Sequence, residues 1–523
     1  MSTPTAPLAS TLAESESPPS LEAPSAYPPR RVYSVVGVPP EVQAYALAKY
    51  SRSSQGMLES IQELSAQRAE EFLDTFYFHY GHRSIADLAH LVFGIEQISI
   101  LAAIAVVDEP VWDGQERSTR YQPFRKTGWH LPEEVSGTTV EPIFAQTAEG
   151  LLAAYAGLSG ALIEHLIEAV PRPTDLPEAT YRRTLRARAF DVARSLLPMA
   201  THTSVGQIVS ARVLERQIGR LLGSPYAEIR AVGAELKASC QAPALAPLSA
   251  EPQSAAAPTL VKYAEASSYP ARVARDLTQA ADALLVDLGE PERAAVVDLA
   301  EPNGDLMREM VTTLLYRYDQ AGHGYRQIQA LVSDLAEARL REMFDLSLEG
   351  RGAHDELLRE HRGGYGLIFD VLVDLGSFRD LHRHRRCIQI QQPLTWGHEF
   401  LAPEAAFEMG LGAQAASSAL DGGLGETYTE ALAKAQHAAE MVRQVAGPAA
   451  DYLLPLAYRT RCLFKMDWAE ATYVIEQRTQ PQGHFSYRTV AWGMYTALSA
   501  RYPALAAPIR AIDPNGPMDL LRR

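Results

Sequence analysis

Cysteine is scarce in this 523-residue chain: Cys240, Cys387 and Cys462 are its only three, and they lie far apart. They form neither a CxxC pair nor the dense framework of a small secreted domain, so a reducing, cytoplasmic setting with buried thiols is expected. Long apolar runs are missing as well. The best candidate, residues 88–107, is broken by Gly94, Glu96 and Gln97, which argues against a membrane span and predicts a buried helix or a strand followed by a helix. The opening residues lack the basic start, apolar run and cleavage pattern of a signal peptide. Positive charge is in deficit, with 48 Lys and Arg against 63 Asp and Glu, a net −15. That balance excludes general attraction to a large nucleic acid, although a local arginine cluster can still hold a small nucleotide. His79 and His82 arrive without a carboxylate and a third histidine at metal-binding spacing, so no metal site is expected.

What is present is enough apolar sequence, 47%, for substantial cores and at least two domains. Residues 1–30, rich in Pro, Ser, Ala and Glu, read as a disordered arm. A short strand over 32–36 ends at Gly37 and Pro39-Pro40, and a helix can begin near Glu41. Leu58, Ile61, Leu64, Phe72, Leu73 and Phe76 predict a long amphipathic helix. Further helices are expected over 151–169 and 182–197. The Pro/Ala/Ser-rich stretch 243–258 reads as a linker, and a second organisation starts near Val296. It offers one helix through Leu306, Val311, Leu315 and Tyr318, and another through Ile328, Leu331, Leu335 and Leu340. An apolar segment over 365–375 follows, then helices over 428–445 and 468–479. Short apolar strands alternating with long amphipathic helices predict an α+β fold. The expected domains are 31–242 and 293–523, joined by a linker and connecting helix over 243–292.

The two parts echo one another. Arg194-Ser195-Leu196-Leu197-Pro198 resembles Asp451-Tyr452-Leu453-Leu454-Pro455. Later, Arg220 and Glu228-Ile229-Arg230 find counterparts in Arg478 and Ser486-Tyr487-Arg488. A coincidence of common Leu and Pro residues is the competing explanation. The order of the fragments favours duplication.

Two fragments carry recognisable chemistry. Arg383-His384-Arg385-Arg386, preceded by Arg379 and His382, combines guanidinium forks suited to phosphate or carboxylate with a ring that donates or accepts. It reads either as a pocket rim or as a solvated helix end. In the first half, Glu116 can accept from an imide N–H or a ribose hydroxyl, and Ser118 and Arg120 can hold phosphate or a ring oxygen. Arg194 and Arg220 can add charge for a dianion, or serve in ion pairs. Ser84 and Asp87 have the spacing of a helix start, with His82 beside them.

Together these residues resemble the flavin-dependent thymidylate synthases. That family's RHR-x7-S-x-R element is split here: Glu116, Ser118 and Arg120 match its nucleotide side, but Asp108-Glu109-Pro110 stands where RHR belongs. Arg383-His384-Arg385 matches the flavin side, but Pro393-Leu394-Thr395 replaces Ser-x-Arg. Gly81-His82-Arg83-Ser84 looks like the upstream motif, and Ser210-Ala211-Arg212 like an Asn-x-Arg segment. Ala105 and Asp380 stand where the family commonly has glutamine. The resemblance implies two fused repeats, each with long helices and a small mixed or antiparallel sheet, and a homodimer acting as a pseudo-tetramer. It implies reductive methylation of dUMP, or a related pyrimidine nucleotide, using FAD, NADPH and methylenetetrahydrofolate. By the same resemblance His82, Ser84, Ser210, Arg383, His384 and Arg385 contact the cofactor. Glu116, Ser118, Arg120, Arg194 and Arg220 hold substrate, and Arg120, Arg220 and His384 assist the chemistry. A flavoenzyme for another pyrimidine, and a binding protein without turnover, are the alternatives.

Overall fold

The computed structural model describes residues 35, 37–49, 61, 83–124, 127–246, 253–292, 296–300, 306–350, 358–362, 366–507, 509–516 and 519–521. The strand over 32–36 apart from Val35, the helix over 58–76 apart from Ile61, and His79 and His82 lie outside the described residues. Residues Met1–Val38 form one unit and Pro39–Arg523 the other.

The larger unit opens with α1 (Pro40–Lys49), a 3-10 turn (Arg83–Leu88), β1 (His90–Ser99), α2 (Ile100–Val107) and β2 (Asp113–Glu116). There follow α3 (Glu141–Ala169), α4 (Glu178–Ala193), β3 (His202–Ser210), α5 (Ala211–Leu222) and α6 (Ala227–Gln241). The chain continues through α7 (Ser268–Leu285), β4 (Val297–Ala300), α8 (Leu306–Tyr318), α9 (Tyr325–Asp334) and α10 (Glu337–Leu348). It then forms β5 (Leu367–Asp374), α11 (Leu375–Leu381), β6 (Ile388–Gln391), α12 (Pro403–Leu411) and α13 (Ala413–Asp421). Last come α14 (Leu424–Ala446), β7 (Arg459–Met466), α15 (Trp468–Arg478) and α16 (Phe485–Arg501).

Among the described residues two antiparallel sheets result, ordered β1-β3-β2 and β4-β5-β7-β6. Apart from β4 they are built alike: a strand, a short helix, an edge strand, and a long helical excursion back to the centre. The residues at each strand-to-helix corner show why. Ser99 accepts from the Ala102 N–H at the start of α2, and Asp374 accepts from the Ser377 N–H at the start of α11. Both satisfy a first-turn donor that the helix cannot. The first amides are then held alike: Ile100 and Leu101 donate to Thr201 and Met199, while Leu375 and Gly376 donate to Tyr458 and Leu456. Even the side-chain lock recurs, with its partners exchanged. Ser99 donates to Glu228 at 2.6 Å, whereas the Ser486 hydroxyl donates to Asp374. The correspondences read between 194–198 and 451–455, and between 228–230 and 486–488, therefore hold in space.

One core serves both repeats: Tyr155, Leu158 and Leu162 of α3 cluster with Tyr428, Leu432 and Ala439 of α14. By length and composition α3 is apolar enough to cross a membrane. Its Phe144, Leu151, Tyr155, Leu158, Leu162 and Leu166 are instead buried in the protein. Smaller cores lie on the two faces of the second sheet, one under α15 and α16, the other under α8 to α10.

Residues 88–107 form a strand followed by a helix, one of the two arrangements their interrupted pattern allowed. The stripe from Ile328 to Leu340 is two helices rather than one, because Leu335 and Ala336 adopt extended backbone between α9 and α10. The apolar period survives since Ile328, Val332, Leu340 and Met343 enter one core. The described part of 243–258 lies along the body, with Pro243 bridged to Ala255 and Ala257 fully buried.

Candidate functional site

β2 delivers Glu116 to the boundary between the repeats, and a tight turn follows. Arg117 N–H donates to Ser204 O at 3.0 Å, Gln122 N–H to Ser118 O at 3.2 Å, and the Ser118 hydroxyl accepts from Arg120 N–H at 3.2 Å. Ser118 thus braces the turn that aims its neighbours inward. The Glu116 carboxylate receives a hydrogen bond from Arg379 on α11, and Arg383 stands 3.9 Å away. The two signature fragments meet at this carboxylate.

Two more buried pairs extend the cluster. Arg120 grips Asp191 of α4 with two bonds, 2.8 and 3.0 Å, and also donates to Tyr487 Oη and Gln482 O, each at 3.1 Å. Arg194 donates to Thr119 Oγ1 at 3.3 Å and to Asp380 at 3.2 and 3.3 Å. Burial alone would raise the pKa of Asp380, but Arg194 and Arg120 overcome it and hold the carboxyl down to about 2. Burial likewise works against the Arg120 charge, and Asp191 outweighs it, so the guanidinium pKa lies above its ordinary value. The arginines expected to face a dianion are therefore matched by internal carboxylates.

In the second signature fragment, His384 is 5% exposed, and burial pushes its pKa below the ordinary imidazole value against the pull of Glu470. Arg478 donates from Nε to His384 Nε2 at 2.7 Å, which assigns the ring proton to Nδ1, 3.5 Å from Glu470 Oε1. Tyr473 meets the ring edge-on at 5.7 Å. Arg385 pairs with Asp113 at 3.0 Å and lies over the Trp112 ring. Arg383 is the open member, its side chain 40% exposed. Among the described residues of this cluster, Arg379 Nε and Nη1 and Arg194 Nε are buried donors with no protein acceptor.

Arg220 stands apart, on α5 against the segment replacing RHR in the first repeat. It donates to Glu109 at 2.9 Å and to Ala105 O at 2.7 Å, with Arg216 on the same carboxylate. This is the counterpart of Arg478 on His384. The link to the main cluster runs through Asp108, bonded by Arg359 at 2.7 Å and 3.5 Å from His382. Burial would raise the pKa of Asp108, but Arg359, His382 and Arg220 hold it low.

Glu116, Ser118, Arg120, Arg194, Arg383 and His384 are thus brought into one neighbourhood. Ser210 and Ser84 are not. Ser210 caps α5 by accepting from Val213 N–H, toward the far end of β3 from Val205, the residue facing Glu116. Ser84 is exposed inside a 3-10 turn rather than capping a helix start, and Asp87 pairs with Arg212 at 2.9 Å. Sequence reasoning missed Asp191 and Tyr487. Asp191 had a signal, a carboxylate between Phe190 and Val192 in the buried last turns of α4.

The repeated architecture and the divided signature define a duplicated member of one enzyme-fold family. The chain belongs to the thymidylate synthase complementing protein family, whose description matches residues 36–244 and again 365–504. It is 25% identical to a UPF0159 protein of Chlamydia muridarum, covering 92% of both chains. It is 29% identical over 200 residues to a flavin-dependent thymidylate synthase of Geobacter sulfurreducens, covering 38% of this chain and 75% of that one. Among solved structures, the flavin-dependent thymidylate synthase ThyX of Helicobacter pylori, complexed with FAD and dUMP, matches 38% of this chain and 89% of its own. That match has 12% identity and a TM-score of 0.23.

Proposed function

We propose that this protein is a flavin-dependent thymidylate synthase-like enzyme with one composite site, in which the first repeat holds a pyrimidine nucleotide and the second holds FAD. The observation that carries the reading is Glu116, which joins the nucleotide-side turn to Arg379 and Arg383 of the flavin-side segment. The residues fit an anionic cofactor or nucleotide. Arg383 offers an exposed guanidinium, and the unpartnered donors of Arg379 and Arg194 are buried groups that a ligand oxygen would satisfy. FAD, when bound, would supply the redox chemistry, relaying reducing equivalents from NADPH.

The chain's own residues then have distinct tasks. Ser118 shapes the turn. Glu116 accepts from a base or ribose donor. Arg194, once released from Asp380, and Arg120 meet phosphate or a ring oxygen. His384, held neutral between Arg478 and Glu470, positions the flavin edge. The reaction is reductive methylation of dUMP with methylenetetrahydrofolate as carbon donor. The domains are 31–242 and 293–523, and a homodimer would reproduce the family's four-repeat assembly in the cytoplasm.

A second reading, a nucleotide- or flavin-binding protein without turnover, draws support from the internal matching of Arg120 by Asp191 and Arg194 by Asp380. The visible spectrum of protein purified without added cofactor, followed by FAD titration, separates the readings. Bound flavin perturbed by dUMP and reduced by NADPH, with tritium release from labelled dUMP, is expected of the enzyme. Bound flavin without tritium release selects the binding protein or another substrate. A folded protein that takes no FAD removes the composite site.

A further inference from the structure

The second repeat has its own turn after its edge strand, at the place equivalent to the signature turn of the first. Counting from the end of each edge strand, Pro393, Thr395 and Trp396 take the places of Ser118, Arg120 and Tyr121. Asp451 takes the place of Arg194. The charge is lost at Thr395 and inverted at Asp451, yet the place is not filled in. A cleft of about 260 Å³ remains, lined by Gln320, Pro393, Leu394, Thr395, Trp396, Gly397 and Arg443.

The lining is rich in donors. The Trp396 indole N–H is buried and has no acceptor in the protein, while its ring is held edge-on to Tyr458 at 4.7 Å. The Thr395 hydroxyl accepts from Gly397 N–H at 2.9 Å, which leaves its own proton to give. Arg443 spends one donor on Asp451 at 2.7 Å, and its side chain is 47% exposed. Gln320 adds an amide at the rim. A buried donor without an acceptor costs the fold its desolvation, and a ligand oxygen restores the lost bond. The cleft therefore favours an acceptor-rich guest. Its size falls just below that of most small-molecule sites, which run from about 300 to 1,000 Å³, and Pro393 and Leu394 give it apolar walls.

Charge narrows the class further. The signature turn has Arg120 and Arg194, whereas here Thr395 and Asp451 replace both, and the remaining cation is already paired with Asp451. A phosphate dianion would find no uncommitted cation in the lining. We propose that this cleft is a second, non-equivalent binding site, taking an uncharged planar heteroaromatic ring with carbonyl acceptors, of nucleobase or nucleoside size. The Trp396 N–H and the Thr395 hydroxyl give the donors, and Arg443 and Gln320 close the rim. This site stands whether or not the first one turns over.

Uracil, deoxyuridine and dUMP are the probes, titrated calorimetrically into the full chain, with amide exchange locating the binding. Deoxyuridine should protect the peptide carrying residues 393–397, and Trp396→Phe, which leaves a smaller aromatic ring and removes the donor, should weaken that binding about tenfold. Gln320→Leu, at an exposed rim position, should weaken it with no change in melting temperature. Protection confined to residues 116–121, no binding of any probe at millimolar concentration, or unchanged affinity in both variants would overturn the proposal. Tighter binding of dUMP than of deoxyuridine at 393–397 would also overturn it, since the site would then be a phosphate site.

Discussion

Pro198 and Pro455 face one another in an antiparallel bridge, each the counterpart of the other in its repeat. Neither has an N–H, so the neighbours make the bonds: Met199 donates to Leu454 O and Leu456 to Leu197 O, both at 3.0 Å. Ala200 to Tyr452 O at 2.7 Å and Ala457 to Ser195 O at 2.8 Å complete the seam. A residue paired with its own equivalent sits on a local two-fold axis. The fused chain therefore contains the isologous contact of a dimer.

The first prediction follows from that seam and the shared core of α3 and α14. Fragments 1–246 and 253–523, expressed separately, should be insoluble or molten, since each exposes half of one core. Co-expressed, they should purify as a one-to-one complex. Two independently folded, non-associating fragments would contradict the shared core.

Asp380 stands between Arg194 and any phosphate. Asp380→Asn keeps the shape but removes the charge that occupies Arg194, so dUMP affinity should rise about tenfold, the scale of one charge-assisted hydrogen bond. Equal affinity in wild type and variant, measured by calorimetry, would show that Arg194 never meets phosphate.

Arg379 and Arg383 both approach Glu116, with different consequences expected. Arg379 is buried, and Arg379→Ala should leave an uncompensated buried carboxylate and cost about 3–5 kcal/mol. Arg383 is half-exposed, and Arg383→Ala should leave the melting temperature within about 1 °C, in keeping with a surface change. It should nonetheless abolish flavin uptake in the absorption titration.

Stability should fall on mild acidification. Burial lowers the pKa of His382, His384 and His484, so the unfolded chain binds protons that the folded chain refuses. Their stabilising contribution is complete above about pH 6.5, the unfolded value, and declines as pH drops below it. Asp380 adds a loss only at lower pH, between its ordinary carboxylate range and about 2. Buried Asp374 and Asp451, whose pKa values burial raises, work in the opposite sense. The denaturant midpoint should therefore drop between pH 7 and 5, and His484→Asn, which can still cap α16, should flatten that slope.

The thiols should be silent in the native protein. Burial pushes Cys240 and Cys387 up to about 12, and raises Cys462 well above the ordinary thiol value too. A disulfide-exchange reagent should titrate none of them in buffer and all three in denaturant. A fast-reacting native thiol would mean that one of these cores opens.

The fold was legible where period and order were strong. The helices at α3, α14 and α15 could be read from apolar spacing, and 88–107 was narrowed to a buried helix or a strand followed by a helix. The repeat could be read from 194–198 against 451–455. Boundaries were less visible where tertiary contacts decide them, as at Leu335 and Ala336, whose extended backbone interrupts an apolar period that continues unbroken. In the site, Glu116 and the Arg383 run were legible because their residue types carry chemistry. Their acid partners were not, because Asp191 and Asp380 become partners only when α4 and α11 are brought against the turn. Ser210 shows the converse: a motif position whose hydroxyl is spent on a helix cap.

The exchanged lock, Ser99 with Glu228 and Asp374 with Ser486, also bears on the history of the gene. Copying either partner alone from one repeat into the other would set carboxylate against carboxylate, as Glu beside Asp374, or hydroxyl against hydroxyl, as Ser beside Ser99. Recombination between the halves is therefore penalised wherever a crossover falls between the two partners. Having once drifted to complementary choices, the repeats can no longer be homogenised piecemeal, and each is committed to keeping its own half of the molecule.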